Sequence, residues 1–155
     1  MAEIKYNDIM RKLIPTVRRH YLFAFAGMLW MIAGGILFVR GTIWLQLLSP
    51  LEEVIVGLLS AVIAAVGYLY GFSKVVQKNI DRIRQMPERA AIYAFAPVRG
   101  YVMIALMITI GITLRNSTIP KYYLTLPYDV MGGVLLIGSI RFYRQFFSDA
   151  WQKES

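Results

Sequence analysis

Five charged residues sit at or near the ends of long apolar runs: Arg40, Arg99, Arg115, Glu52 and Asp129. A guanidinium at the edge of a hydrocarbon layer offers a planar fork of donors that fits carboxylate or phosphate. The three arginines are therefore the candidate contacts to an anionic solute or a lipid headgroup, with Glu52 and Asp129 as candidate polar partners. Arg40 and Arg115 also have an ordinary reading, because an arginine at a helix C-terminus caps carbonyls and anchors a span.

Other chemistry is not expected. There is no cysteine, which excludes disulfides and thiolate metal sites. The single histidine, His20, lies at the edge of the first apolar run. Metal sites want clusters and bis-histidine haem wants two ligands, so His20 is read as interfacial. No phosphate-binding Gly-rich loop, dinucleotide fingerprint, nucleophile elbow or His-Glu-x-x-His pattern occurs. No carboxylate sits at the centre of an apolar run, where proton relays and ion pumps keep one. The expectation is a protein that is not an enzyme, with no catalytic, cofactor or metal site.

The elements that carry these residues are long and greasy. The chain is 57% hydrophobic and only 17% charged, yet its formal net charge is +8. Basic nucleic-acid binders are charge-rich, so no nucleic-acid partner is expected. Residues 21–39 hold no charge at all before Arg40. Roughly 20 residues at about 1.5 Å rise cross a bilayer core of about 30 Å, so this is a first span. Residues 41–51 stay apolar, with Trp44 placed at the interface. Pro50 turns the chain, and Glu52 and Glu53 fall in the next helix's first turn, where carboxylates favour the dipole. A second span covers about 54–72. Its Ser60, Ala64, Gly67 and Gly71 form a small-residue stripe suited to close helix packing.

Residues 73–86 continue at helical period with Lys74, Lys78, Arg82 and Arg84 on one side, ending at Pro87. A third span runs from about 96 to 114, with Arg99 one turn inside and able to snorkel. A polar, tyrosine-rich loop over 116–128 and a short fourth span, about 126–140, follow. Phe142, Tyr143, Phe146, Phe147 and Trp151 read as a terminal aromatic girdle. Before the first span, residues 3–19 read as a basic amphipathic helix for a headgroup surface, kinked or restarted at Pro15. The segment is too polar for a secretory signal, so the first span is expected to be retained.

The expected fold class is all-α: an integral membrane four-helix bundle of two tandem transmembrane hairpins plus an N-terminal interfacial helix. The interfacial helix takes 1–20 and one four-span domain takes 21–155. Within that domain lie hairpin 1 (about 21–72), a cytosolic helical connection (73–89) and hairpin 2 (about 90–147). Lys and Arg fix the orientation. Fourteen lie in the two terminal regions and the central connection, against Arg40, Arg115 and Lys121 on the opposite side. By the positive-inside rule both termini are cytoplasmic, in what reads as a prokaryotic inner membrane.

The halves resemble each other. Arg11-Lys-Leu-Ile-Pro15 and Phe23-Ala-Phe-Ala-Gly27 match Ile83-Arg-Gln-Met-Pro87 and Tyr93-Ala-Phe-Ala-Pro97. Val39-Arg-Gly-Thr42 and Pro50-Leu-Glu52 match Leu114-Arg-Asn-Ser117 and Pro127-Tyr-Asp129. Units of two spans each would form a parallel repeat about an axis along the membrane normal, with Arg40 and Arg115 facing each other. The functional expectation is a transporter or channel component for an anionic solute or lipid headgroup. The alternative is a non-catalytic accessory or scaffold subunit, and a weaker third reading is lipid handling by the aromatic girdles. The expected partners are anionic headgroups and either further copies of the chain or a larger membrane protein.

Overall fold

The structure, a computed structural model, describes residues 14–152. In chain order it comprises β1 (Thr16–Arg18), α1 (Arg19–Leu45), α2 (Pro50–Arg84), β2 (Arg89–Ala91), a 3-10 turn (Ile92–Phe95), α3 (Val98–Asn116) and α4 (Lys121–Trp151). All four helices are long and apolar enough to cross a membrane.

Local chemistry sets the boundaries. Ser49 and Glu52 close a capping box at the start of α2, with Pro50 inside the first turn. The Ser49 N–H donates to Glu52 Oε2 at 3.0 Å and the Ser49 hydroxyl donates to the same oxygen at 2.8 Å. Within α2 one π-helical turn, Tyr68–Phe72, separates an apolar segment from the basic segment Ser73–Arg84. That basic segment buries Val76, Ile80 and Ile83. At its end, Arg19 Nη1 donates to the Arg84 carbonyl at 2.7 Å and to the Met86 carbonyl at 3.4 Å. A cation thereby satisfies carbonyls that the helix terminus leaves over.

The core is built on α1 and α4, which pack antiparallel. Gly27, Gly34 and Gly41 recur every seven residues along α1. A Cβ at Gly27 would meet Phe142 and Tyr143, one at Gly34 would meet Leu135, and one at Gly41 would meet Asp129. A Cβ at Gly132 of α4 would come within 2.7 Å of the Phe38 backbone nitrogen. The two backbones are thus in direct contact, as small residues permit in a helix seam. A seven-residue spacing keeps one face turned toward its partner. Trp30 then covers Gly138 and meets Phe142 edge-on at 5.5 Å. Helix α2 lies on α4 where Ala64 meets Gly133. Helix α3 packs least, and none of its described residues is buried.

Several expectations need correction. The helix expected over 3–19 does not reach its end as a helix: Thr16–Arg18 is a strand, antiparallel to Arg89–Ala91 with Val17 opposite Ala90. The Ile92 N–H to the Pro15 carbonyl (3.0 Å) and the Arg19 N–H to the Glu88 carbonyl (2.8 Å) extend the ladder. Pro15 pushes Ile14 toward extended backbone, and β-branched Thr16 and Val17 favour a strand. Residues 1–13 of that segment lie outside the described residues. Helix α1 passes Arg40 without a break and stops at Leu45, so Arg40 is not a helix-end residue. Helix α4 starts at Lys121, which shortens the expected loop, and it carries Pro127 inside. Phe142, read as part of the terminal aromatic girdle, is fully buried in the core. The principal interface joins the first and last helices rather than the two helices of either hairpin.

Candidate functional site

The charged residues singled out in the sequence occupy separate settings. Glu52 is held in its own capping box. Arg40 is exposed and lines a shallow groove with Gly35, Ile36 and Val39. Arg99 lies in the first turn of α3 and Arg115 in its last. Sixteen residues of helix at about 1.5 Å rise set them about 24 Å apart, so one solute cannot touch both. The Lys121 ammonium donates to the Arg115 carbonyl and, at 3.3 Å, to the Ser117 carbonyl, closing the end of α3. The packing stripe divides as well. Ser60 and Ala64 are buried, and a Cβ on Gly67 would stand 3.9 Å from Val134. Gly71 is exposed, and a Cβ there would meet nothing within 4 Å.

Asp129 is the exception. It lies in the third turn of α4, deeper than a span start at 126 implies, and it is only 5% exposed. Its carboxylate lies against α1 where Gly41 has no side chain. One turn earlier on the same face is Thr125, fully buried. On α2, Ser60 is 3% exposed. Asp129 Oδ1, Thr125 Oγ1 and Ser60 Oγ are all buried without a hydrogen-bond partner. The adjoining wall is aromatic: Trp44 meets Tyr128 edge-on at 4.9 Å, and the Tyr128 hydroxyl donates to the Gly111 carbonyl of α3 at 2.9 Å.

A second polar site lies at the other end of the bundle. Arg19, His20, Arg84, Asp149 and Gln152 line a cleft of about 450 Å³ between α1, α2 and α4. Its walls are braced by hydrogen bonds from Arg84 Nη2 to Gln145 Oε1 (2.7 Å) and from Gln145 Nε2 to Asp149 Oδ1 (2.6 Å). Arg18 and Arg89, paired across the two-stranded ladder, lie at this same end.

Neither Thr125 nor the cleft residues Arg19, Arg84 and Asp149 stood out as site residues in the sequence. The glycines at 27, 34 and 41 could have been found from their seven-residue spacing, and that seam would have put Asp129 inside the bundle. No protein-family model matches this chain, and no curated protein or solved structure was found to resemble it.

Proposed function

We propose that this chain is an integral membrane protein, with its Lys- and Arg-rich end in the cytoplasm, that serves as a transport component for an anionic solute or a lipid headgroup. The observation that carries this reading is the cleft of Arg19, His20, Arg84, Asp149 and Gln152 at the basic end, of a size to admit a small anionic group. Large aliphatic side chains such as Ile32, Ile36, Leu58, Val62, Val102 and Leu106 are exposed around the helices, as lipid contact requires. Where Gly34 and Gly132 meet, α1 and α4 leave no space for a solute. A pathway would therefore run between subunits, beside α3.

The antiparallel pairing of β1 with β2 supports the parallel repeat, since it sets the two proline-preceded connectors side by side. The strong α1–α4 interface, unmatched by one between α2 and α3, speaks against equal halves. The open faces of α3 favour the second reading, an accessory subunit whose partner covers that helix.

Reconstitution tests the choice. Liposomes bearing the protein should pass phosphate- or carboxylate-bearing solutes, or exchange a labelled anionic lipid between leaflets, and Arg84→Gln should slow that flux. If no such flux occurs and the protein leaves native membranes in fixed ratio with a larger partner, the accessory role replaces transport.

A further inference from the structure

The geometry points to a binding site for a small, hard monovalent cation, of the sodium or lithium kind, formed by Asp129, Thr125 and Ser60 where α1, α2 and α4 meet. Three side-chain oxygens there are buried and lack hydrogen-bond partners, on residues 5%, 0% and 3% exposed. Buried hydroxyls and carboxylates are normally paired, and an unpaired one is costly.

Register brings the three together. Asp129 and Thr125 are one turn apart on α4. Both α2 and α4 begin near the end of α1, where Leu45 approaches Gly57 and Gly41 approaches Asp129, so they run in the same direction. Ala64 packs on Gly133. One turn back along each helix, Ser60 falls at the level of Asp129. Asp129 is three residues before Gly132, which faces α1, and four before Gly133, which faces α2. It therefore points into the junction of the three helices. Gly41 is what lets its carboxylate lie against the α1 backbone.

The donor set selects the ligand. It is oxygen only, with a single negative charge, which one monovalent cation neutralises. Calcium takes six to eight oxygens and magnesium prefers to keep its waters. Zinc, copper and iron prefer nitrogen or sulfur donors, and among the described residues no three His, Asp or Glu side chains converge. Arg40, next in sequence to Gly41, is exposed on another face of α1 beside Ile36 and Val39. This site lies apart from the basic cleft, and binding is read without any transport assay.

The test is thermal unfolding of the purified full chain in nanodiscs, in NaCl, LiCl, KCl and choline chloride at equal ionic strength and fixed pH. Sodium or lithium should raise the midpoint saturably, with potassium and choline having no such effect. Asp129→Asn should abolish the rise. Thr125→Val and Ser60→Ala should each weaken the apparent affinity by about tenfold or more, as loss of an oxygen donor to a charged ligand implies. Should Asp129→Asn fail to fold, these two variants decide. Equal midpoints in all four salts, a response retained in the variants, or a midpoint that follows pH but no cation would each overturn the assignment.

Discussion

Asp129 occupies the space that a side chain on Gly41 would need. A Cβ there would overlap Asp129 Oδ1 and lie 2.6 Å from its Cγ, with the Asp129 backbone nitrogen at 3.1 Å. The acid can be buried only because α1 presents bare backbone at that level. Gly41→Ala should therefore destabilise the protein by about 1–3 kcal/mol, the cost of forcing apart a packed seam. Gly35→Ala is the control. A Cβ there meets nothing within 4 Å, so it should be neutral or stabilise by up to about 1 kcal/mol through helix propensity. Unfolding in graded SDS or by heat distinguishes them, and equal effects of the two variants would mean that the seam is not close-packed at Gly41.

Glu52 and Asp129 are matched acids in the two sequence halves, yet the first closes a cap and the second is buried. Glu52→Ala should lower stability only slightly, because it opens the reciprocal half of the capping box while Ser49 stays in place as the cap. It should leave any anion flux per folded molecule unchanged. A flux defect in a variant of normal stability would return Glu52 to the solute path.

The four long apolar helices were legible because a run of about 20 mostly apolar residues has few other uses. The capping box was legible in part, from Pro50 and the two glutamates that follow it. The α1–α4 seam was harder, since Gly27, Gly34 and Gly41 are scattered among other small residues, and only their spacing marks them. The strand pair was not legible. Three residues at 16–18 carry no periodicity, and their partners lie at 89–91, on the far side of two long helices. The burial of Asp129 was not legible, because a loop reaching about residue 128 puts the acid at the start of its helix, whereas α4 begins at Lys121. In the structure Pro127 lies inside α4, which continues through it although the bond a residue there would donate to the Tyr123 carbonyl is missing.

Orientation can be tested residue by residue. Ser49 and Thr118 are at the end of the bundle near Arg40 and Lys121, and Gln85 is at the end near Arg18 and Arg89. The chain lacks cysteine, so single Ser49→Cys, Thr118→Cys and Gln85→Cys variants need no background removal. In intact cells a membrane-impermeant maleimide should label the first two and spare the third until the membrane is opened. The opposite pattern would reverse the positive-inside assignment.

While Lys121 ties the end of α3, Tyr128 ties its middle to α4. Its ring stacks edge-on with Trp44 at 4.9 Å, Leu37 and Leu114 pack on that cluster, and its hydroxyl reaches the Gly111 carbonyl at 2.9 Å. Tyr128→Phe keeps the ring and removes the hydrogen bond, which is worth about 0.5–1.5 kcal/mol. In purified protein, backbone hydrogen exchange should quicken in α3 by up to about tenfold and stay unchanged in the α1–α4 seam. In native membranes a subunit that covers α3 would hold the helix by its faces instead, and the same variant should then exchange at the wild-type rate. Unchanged exchange in both settings would mean that α3 is held by its packing rather than by Tyr128. A difference that persists in both would mean that no partner covers it.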